Sequence, residues 1–268
     1  MKPIAWIGIN VFRESVRDKV LYNLVAFAVL MMGASYVIGQ LTAGQDVKII
    51  KDLGLTAIDV FGLFIAVFIG IGLVSKEVER RSIYGLLAKP VERYQLVLGK
   101  YVGLVLTLVV NIAVMSAALY LVLVYVAARF PPEVQAVWDA PALDPHLLVA
   151  IALTLVELML VTAIALFFST FSTPMLSAAM TFGLFVAGHF SSDLKQFDQV
   201  VESVAAQRLT EVVYWVLPNL ASFDVTARVV HGDAVGKGYF AVTALYGLAY
   251  IALLLVASIL IFSRRDFK

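Results

Sequence analysis

Six long apolar stretches dominate this chain and restrict what it can fold into. They contain 17 to 24 residues each and lie at about 20–39, 55–74, 104–127, 147–168, 174–190 and 239–262. Asp59 and Glu157 are the only charged residues inside them. A helix needs roughly 20 apolar residues to cross the ~30 Å hydrocarbon core of a bilayer, and backbone groups in lipid must be hydrogen-bonded internally. The pattern predicts an all-α integral membrane protein with six transmembrane helices, forming one domain over residues 1–268.

The composition agrees with a membrane protein and excludes several other classes. Hydrophobic residues make up 62% of the chain and charged residues 15%, whereas soluble domains are about 25% charged. The net charge of +1 gives no general attraction to polyanions, so we expect membrane lipid and no nucleic acid as a partner. The absence of cysteine excludes disulfides and thiolate chemistry.

The distribution of Lys and Arg predicts the orientation. With both termini on the same side, the connections on that side carry thirteen Lys and Arg residues, against seven on the other side. Because positive residues accumulate on the cytoplasmic side, both termini are predicted to be cytoplasmic. We therefore expect a multi-pass protein of the cytoplasmic (inner) membrane.

Residues 3–19 predict a helix that lies in the membrane interface ahead of the first span. Ile4, Ile7, Val11 and Ser15 recur at helical spacing on one side, with polar residues largely opposite. The alternative is a cytosolic start to one longer first helix.

The connection at 75–101 is predicted to be cytoplasmic, charged and amphipathic. Pro90 must end or kink a short helix there, because proline has no N–H to donate. Gly99 and Gly103 follow at a spacing that allows close helix packing in lipid. The loop is either a docking surface for a partner or an ordinary solvated connection.

The outer loop at 191–238 contains a second amphipathic pattern, which predicts a helix on the outer face between the fifth and sixth spans. Such a helix is either a lid over a pathway or a packing cover. Its apolar residues are Leu194, Phe197, Val201, Val204, Val212 and Val216.

Several of these segments together resemble the ABC-2-type transporter permease family. The loop carries Leu-Leu-Ala-Lys-Pro-Val-Glu-Arg at 86–93 and Leu-Gly-Lys-Tyr-Val-Gly at 98–103, and Leu-Pro-Asn-Leu follows at 217–220. Phe223-Asp224 and the Arg-Arg-Asp-Phe tail at 264–267 look like the branch that contains permeases for multicopper-enzyme and nitrous oxide reductase maturation. The resemblance covers nearly the whole chain.

The resemblance implies an ATP-driven exporter made of several subunits. Two permease subunits, identical or different, would pair, and each would bind a cytosolic ATP-binding subunit that holds ATP and Mg. The loop at 75–101 would couple ATP hydrolysis to transport. The residues that this implies for coupling are Glu77, Glu79, Arg80, Arg81, Leu86, Leu87, Lys89, Pro90 and Arg93.

No catalytic or nucleotide-binding motif is present in the sequence, so we expect a chain without enzymatic activity or a cofactor of its own. There is no phosphate-binding G-x-x-x-x-G-K-[ST] sequence, no H-E-x-x-H and no G-x-S-x-G. His146, His189 and His231 lie near the predicted outer ends of spans and far apart in sequence, which favours ordinary surface histidines over a metal site.

Glu157 lies at the centre of the fourth predicted span, where an ionised carboxylate costs at least ~2.5–3.5 kcal/mol. It is either part of a substrate or proton pathway or a structural partner of Asn111, Thr107 or Ser116 on the third span. Asp59 lies nearer the outer boundary, and this position favours a carboxylate that is solvated or lies at the start of the helix.

Two other classes remain open from the residues alone. A secondary transporter is one, although the two halves show no inverted repeat. A membrane anchor or assembly factor without transport activity is the other. The substrate is not indicated by the sequence.

Overall fold

The computed structural model of the chain describes residues 2–40, 46–79, 92–136, 138, 140–191 and 217–264, and it contains helices without strands in those ranges. The predicted all-α class is therefore confirmed. The helices are α1 (Lys2–Val16), α2 (Lys19–Gln40), α3 (Asp46–Glu79), α4 (Arg93–Arg129), α5 (Pro132–Gln135), α6 (His146–Ser169), α7 (Pro174–His189), α8 (Thr226–Val230) and α9 (Lys237–Arg264).

Five of the described helices are long and apolar enough to cross a membrane, namely α2, α3, α4, α6 and α9. The fifth predicted span, 174–190, forms the apolar helix α7, which has only 16 residues. At a rise of 1.5 Å per residue, α7 is about 24 Å long, which is less than the ~30 Å hydrocarbon thickness. Six complete crossings therefore stay a prediction.

The helices α3 and α4 extend well beyond the apolar stretches that predicted them. They contain 34 and 37 residues, so at 1.5 Å per residue they are about 51 and 55 Å long. The extensions carry polar residues such as Lys51 and Lys100. The length of an apolar stretch predicts only the part of a helix that crosses the membrane. The helix itself can continue beyond that part, because its hydrogen bonds are made by the backbone.

Helix α6 forms the centre of the bundle. It is apolar on nearly all sides, as expected for a helix enclosed by others, and most of its residues are buried. Small residues bring α3 against it: Gly62 faces Leu158, and Gly70 faces Ala165. Helix α9 packs on another side, where Gly247 lies against Val156.

Contacts between helices define two ends of the bundle. Gly54, near the start of α3, faces Leu119, near the end of α4, so these two helices are antiparallel. We call the end where α3 finishes and α4 begins the loop end. The end of α9 is also there, because Arg93 of α4 contacts the backbone of Phe262 and Ser263.

Helix α1 is separate from α2 and packs along the beginning of α4. The chain leaves helical geometry at Arg17 and Asp18, so one continuous first helix is not formed. Val11 and Ser15 are buried, in agreement with the predicted apolar side, whereas Trp6 is exposed. The placement of α1 in a membrane interface stays a prediction.

Candidate functional site

A buried carboxyl group lies in the middle of α6. Glu157 is only 2% exposed, and its Oε1 atom has no hydrogen-bond partner among the described residues. Among the described residues, His189 faces this carboxyl group, with its Nε2 atom 3.4 Å from Oε1. This distance is longer than the 2.7–3.2 Å of ordinary N–H···O bonds.

None of the three side chains predicted as structural partners of Glu157 is hydrogen-bonded to it in the described part of the chain. Asn111 donates to the Thr107 carbonyl at 2.6 Å, and the Thr107 hydroxyl donates to the Gly103 carbonyl at 2.9 Å. Both bonds stay within α4. The buried Ser116 hydroxyl has no hydrogen-bond partner in the described part of the chain.

The short length of α7 explains how His189 reaches Glu157. The helix begins at Pro174, close to the end of α6, and finishes at His189, beside the middle of α6. The imidazole Nδ1 atom lies 3.3 Å from the Phe185 carbonyl, and the two rings have a centroid distance of 4.5 Å. Sequence reasoning placed His189 near an outer surface because it assumed that 174–190 crosses the membrane.

Two further carboxyl groups lie within electrostatic range of this pair. Asp59 of α3 interacts with His189, Glu157 and Asp224, and its Oδ1 atom is buried without a hydrogen-bond partner in the described residues. Asp224 is exposed and accepts the Thr226 N–H at 2.9 Å. We call Asp59, Glu157, His189 and Asp224 the acid–histidine cluster.

The stretch 217–224 is held between α7 and α9. The Leu220 N–H donates to the Gly188 carbonyl at 3.1 Å at the end of α7. Toward α9, the Asn219 N–H donates to the Tyr246 hydroxyl at 2.8 Å, and Phe223 is fully buried beside Gly247. These contacts position Asp224 near the other residues of the acid–histidine cluster.

A cavity of about 390 Å³ lies between this stretch and α9. Its wall combines hydroxyl and amide groups with aromatic rings, and Tyr246 and Tyr250 have a centroid distance of 4.9 Å. The lining residues are Leu217, Asn219, Ser222, Val242, Thr243, Tyr246 and Tyr250. The Leu-Pro-Asn-Leu motif at 217–220 therefore forms part of a cavity wall.

The cluster does not have the form of a metal site. Within the described ranges, no three His, Asp or Glu side chains are placed so that they could hold a metal ion. The other two histidines lie elsewhere: the His146 N–H donates to Asp144 at 2.9 Å at the start of α6, and His231 is exposed beside the Ala227 carbonyl.

Most residues implied for coupling lie outside the described residues, namely Arg80, Arg81, Leu86, Leu87, Lys89 and Pro90. Glu77 and Glu79 belong to the last turn of α3, and their side chains are not described. Arg93 is described, and its guanidinium donates to the carbonyls of Phe262 at 3.2 Å and Ser263 at 2.9 Å. The predicted outer amphipathic helix, with apolar residues from Leu194 to Val216, also lies outside the described residues.

Gly99 and Gly103 lie against α1. A Cβ atom on Gly99 would be 2.7 Å from the Ile7 Cβ, and one on Gly103 would be 2.5 Å from the Gly8 carbonyl oxygen. Real Cβ atoms do not approach so closely, so glycine is needed for this contact.

Lys51 is a buried charge that sequence reasoning missed. It is 1% exposed, and its ammonium donates to the Pro141 carbonyl at 2.8 Å. Asp144, which is also buried, lies within electrostatic range. Lys51 was assigned to a connection because it lies before the apolar stretch at 55–74, although the helical spacing of Val47, Lys51 and Leu55 was a signal for a continuing buried face.

Comparison with known proteins gives one extensive match. A family model described as ABC-2 family transporter protein matches residues 5–267, from α1 to beyond the end of α9. No curated protein matches the chain.

Proposed function

The chain belongs to the ABC-2 transporter family, and from that premise we propose that it is the permease subunit of an ATP-driven transporter that exports its substrate across the cytoplasmic membrane. The family match over residues 5–267 is the observation that carries this proposal. The match extends across the five described helices that are long and apolar enough to cross a membrane, so the chain corresponds to a transmembrane domain.

In this proposal, ATP and Mg are bound by a separate cytosolic subunit. The coupling element is the loop at 75–101, whose charged residues orient the ATP-binding subunit and whose Leu86 and Leu87 fill a groove of that subunit. The charge distribution of the sequence supports a cytoplasmic position for the loop end and for both termini.

The contacts at the loop end supply a route for movement. Arg93 is the last of the proposed coupling residues, and its guanidinium donates to two carbonyl groups in the last turn of α9. Helix α1 is packed along the same beginning of α4 through Gly99 and Gly103. A displacement of the loop would therefore move α4, α1 and the end of α9 together.

The lipid-facing helices offer surface for a second permease subunit. Helices α2 and α9 expose large apolar side chains, including Phe27, Leu30, Val242 and Leu245. We propose that these faces meet lipid on one side and a second permease, identical or homologous, on the other.

Purification from native membranes tests the proposal. The tagged chain is extracted in mild detergent, and its partners are identified by mass spectrometry. We expect a stoichiometric ATP-binding subunit, which is lost when Glu79→Arg is combined with Arg80→Glu. The matched control is Arg228→Asp with Asp233→Arg, at exposed positions of α8 and the turn after it.

A stable chain without an ATP-binding subunit would overturn the proposal and would favour a secondary transporter or a membrane anchor. Equal loss of the partner in both double variants would contradict the position of the coupling element.

A further inference from the structure

The acid–histidine cluster contains more hydrogen-bond acceptors than donors. The Oε1 atom of Glu157 and the Oδ1 atom of Asp59 are buried, and each has no donor among the described residues. They project from α6 and α3, two helices in direct contact. Buried polar atoms are nearly always hydrogen-bonded, and an unsatisfied charged acceptor costs more than a neutral one.

His189 cannot supply every missing donor. Its Nδ1 atom lies 3.3 Å from the Phe185 carbonyl, and its Nε2 atom lies 3.4 Å from the Glu157 Oε1 atom. A neutral imidazole carries one N–H, so it can donate to only one of these two acceptors. In either case the Asp59 Oδ1 atom has no donor among the described residues.

The charges around the cluster favour a cation. The charged and titratable groups identified around Glu157 are Asp59 from α3, Asp224 from the stretch before α8, and His189 from α7. Within the described part of the chain, this places three carboxyl groups around one imidazole. Such groups inside a membrane are costly unless they are paired.

Exposure decreases stepwise along the cluster. Asp224 is exposed, Asp59 and His189 are partly exposed, and Glu157 is buried. A cation bound first at Asp224 would have the carboxylate oxygens of Asp59 and then of Glu157 at increasing depth. Glu157 is therefore the buried end of the cluster, and Asp224 is its exposed end.

We propose that the acid–histidine cluster binds the ammonium group of the transported ligand. A primary ammonium carries three N–H donors and no acceptor, so it can supply the donors that the Glu157 and Asp59 oxygens lack. The inference rests on the proposed function, because it names the substrate class of a permease. The chain would thus handle amines in preference to neutral or anionic analogues.

The test measures binding of benzylammonium to the purified chain in nanodiscs by isothermal titration calorimetry at neutral pH. Benzyltrimethylammonium has the same charge without N–H donors, and benzyl alcohol has no charge. We expect benzylammonium to bind about tenfold or more tightly than either analogue, because charge-assisted hydrogen bonds are lost in both.

Substitutions locate the site. Glu157→Gln is expected to weaken benzylammonium binding at least about tenfold, and Asp59→Asn, at a partly exposed position, to weaken it by a smaller factor. The control is Glu133→Gln, which removes an exposed carboxylate from α5 and should leave binding unchanged. Asp59→Asn also keeps the proposal testable if Glu157→Gln fails to fold.

Equal binding of the three compounds, or binding that Glu157→Gln and Asp59→Asn leave unchanged, would overturn the inference. Uptake of protons by the cluster without any amine binding would overturn it too. Because the assay uses the chain alone, its outcome is independent of whether an ATP-binding subunit is found.

Discussion

The Nε2 atom of His189 lies 3.4 Å from the Oε1 atom of Glu157, at the point where α7 ends beside the middle of α6. The contact joins the only charged residue in the centre of α6 to the last residue of an unusually short apolar helix. It places the end of α7 against the middle of α6, and it positions a titratable pair beside the stretch 217–224.

The Glu157–His189 pair predicts an unusual order of stabilities. His189→Leu should lower stability by about 1–3 kcal/mol, because an apolar side chain then faces the buried Glu157 carboxyl group. Adding Glu157→Leu should restore much of that loss, since an apolar pair of similar volume carries no desolvation cost. Thermal unfolding midpoints in detergent give the order. A double variant less stable than His189→Leu alone would contradict this account of the pair.

The close packing of α1 on Gly103 predicts that a methyl group added at this position lowers stability. In Gly103→Ala the new Cβ would lie 2.5 Å from the Gly8 carbonyl oxygen, so α1 must move, and we expect a cost of about 1–3 kcal/mol. Gly33→Ala is the matched control in α2, because nothing lies within 4 Å of its Cβ position. It should be neutral or slightly stabilising, since alanine favours helix. Equal unfolding midpoints for the two variants would show that α1 does not pack closely on α4.

The hydrogen bond from the buried Lys51 ammonium to Pro141 is expected to stabilise the connection between α4 and α6. Lys51→Met keeps the length of the side chain but removes the hydrogen bond to the Pro141 carbonyl, so we expect a loss of about 1.5–3 kcal/mol. Lys237→Met, at an exposed position at the start of α9, is the control and should change stability little. Faster proteolysis within 130–145 should accompany the first variant alone.

The hydrogen bonds from Arg93 to the last turn of α9 predict that their removal loosens this turn. Arg93→Ala removes the donors to the Phe262 and Ser263 carbonyls, which should speed amide hydrogen exchange in the last turn of α9. In the co-purified complex, it should also reduce coupling between ATP hydrolysis and transport. Arg129→Ala, at the other end of α4, removes an exposed side chain that lies over Tyr125 and serves as the control. Unchanged exchange in Arg93→Ala would contradict the proposed route of movement.

The sequence predicted the helical class and the positions of the apolar helices, because the cost of burying charge in lipid leaves a strong compositional signal. It did not predict that α3 begins at Asp46, since the hydrogen bonds of a helix are made by the backbone and can continue into polar sequence. Lys51 was consequently assigned to a connection although it is buried.

The candidate site was predicted only in part. A central carboxylate in an apolar span identified Glu157 from its position alone. Its partner was missed, because the end of α7 depends on how the stretch 217–224 folds against Gly188. The available signal was the 17-residue length of the apolar stretch at 174–190, which is the shortest of the six.

The rate of ATP hydrolysis by the co-purified complex in nanodiscs, compared between the natural chain and Glu157→Gln, tests the central claim most directly. If the chain is a permease whose buried cluster contacts the ligand, Glu157→Gln should retain the ATP-binding subunit yet change the hydrolysis rate severalfold. Glu133→Gln should leave that rate unchanged. An unaltered rate in Glu157→Gln, with normal expression and an intact complex, would contradict the account.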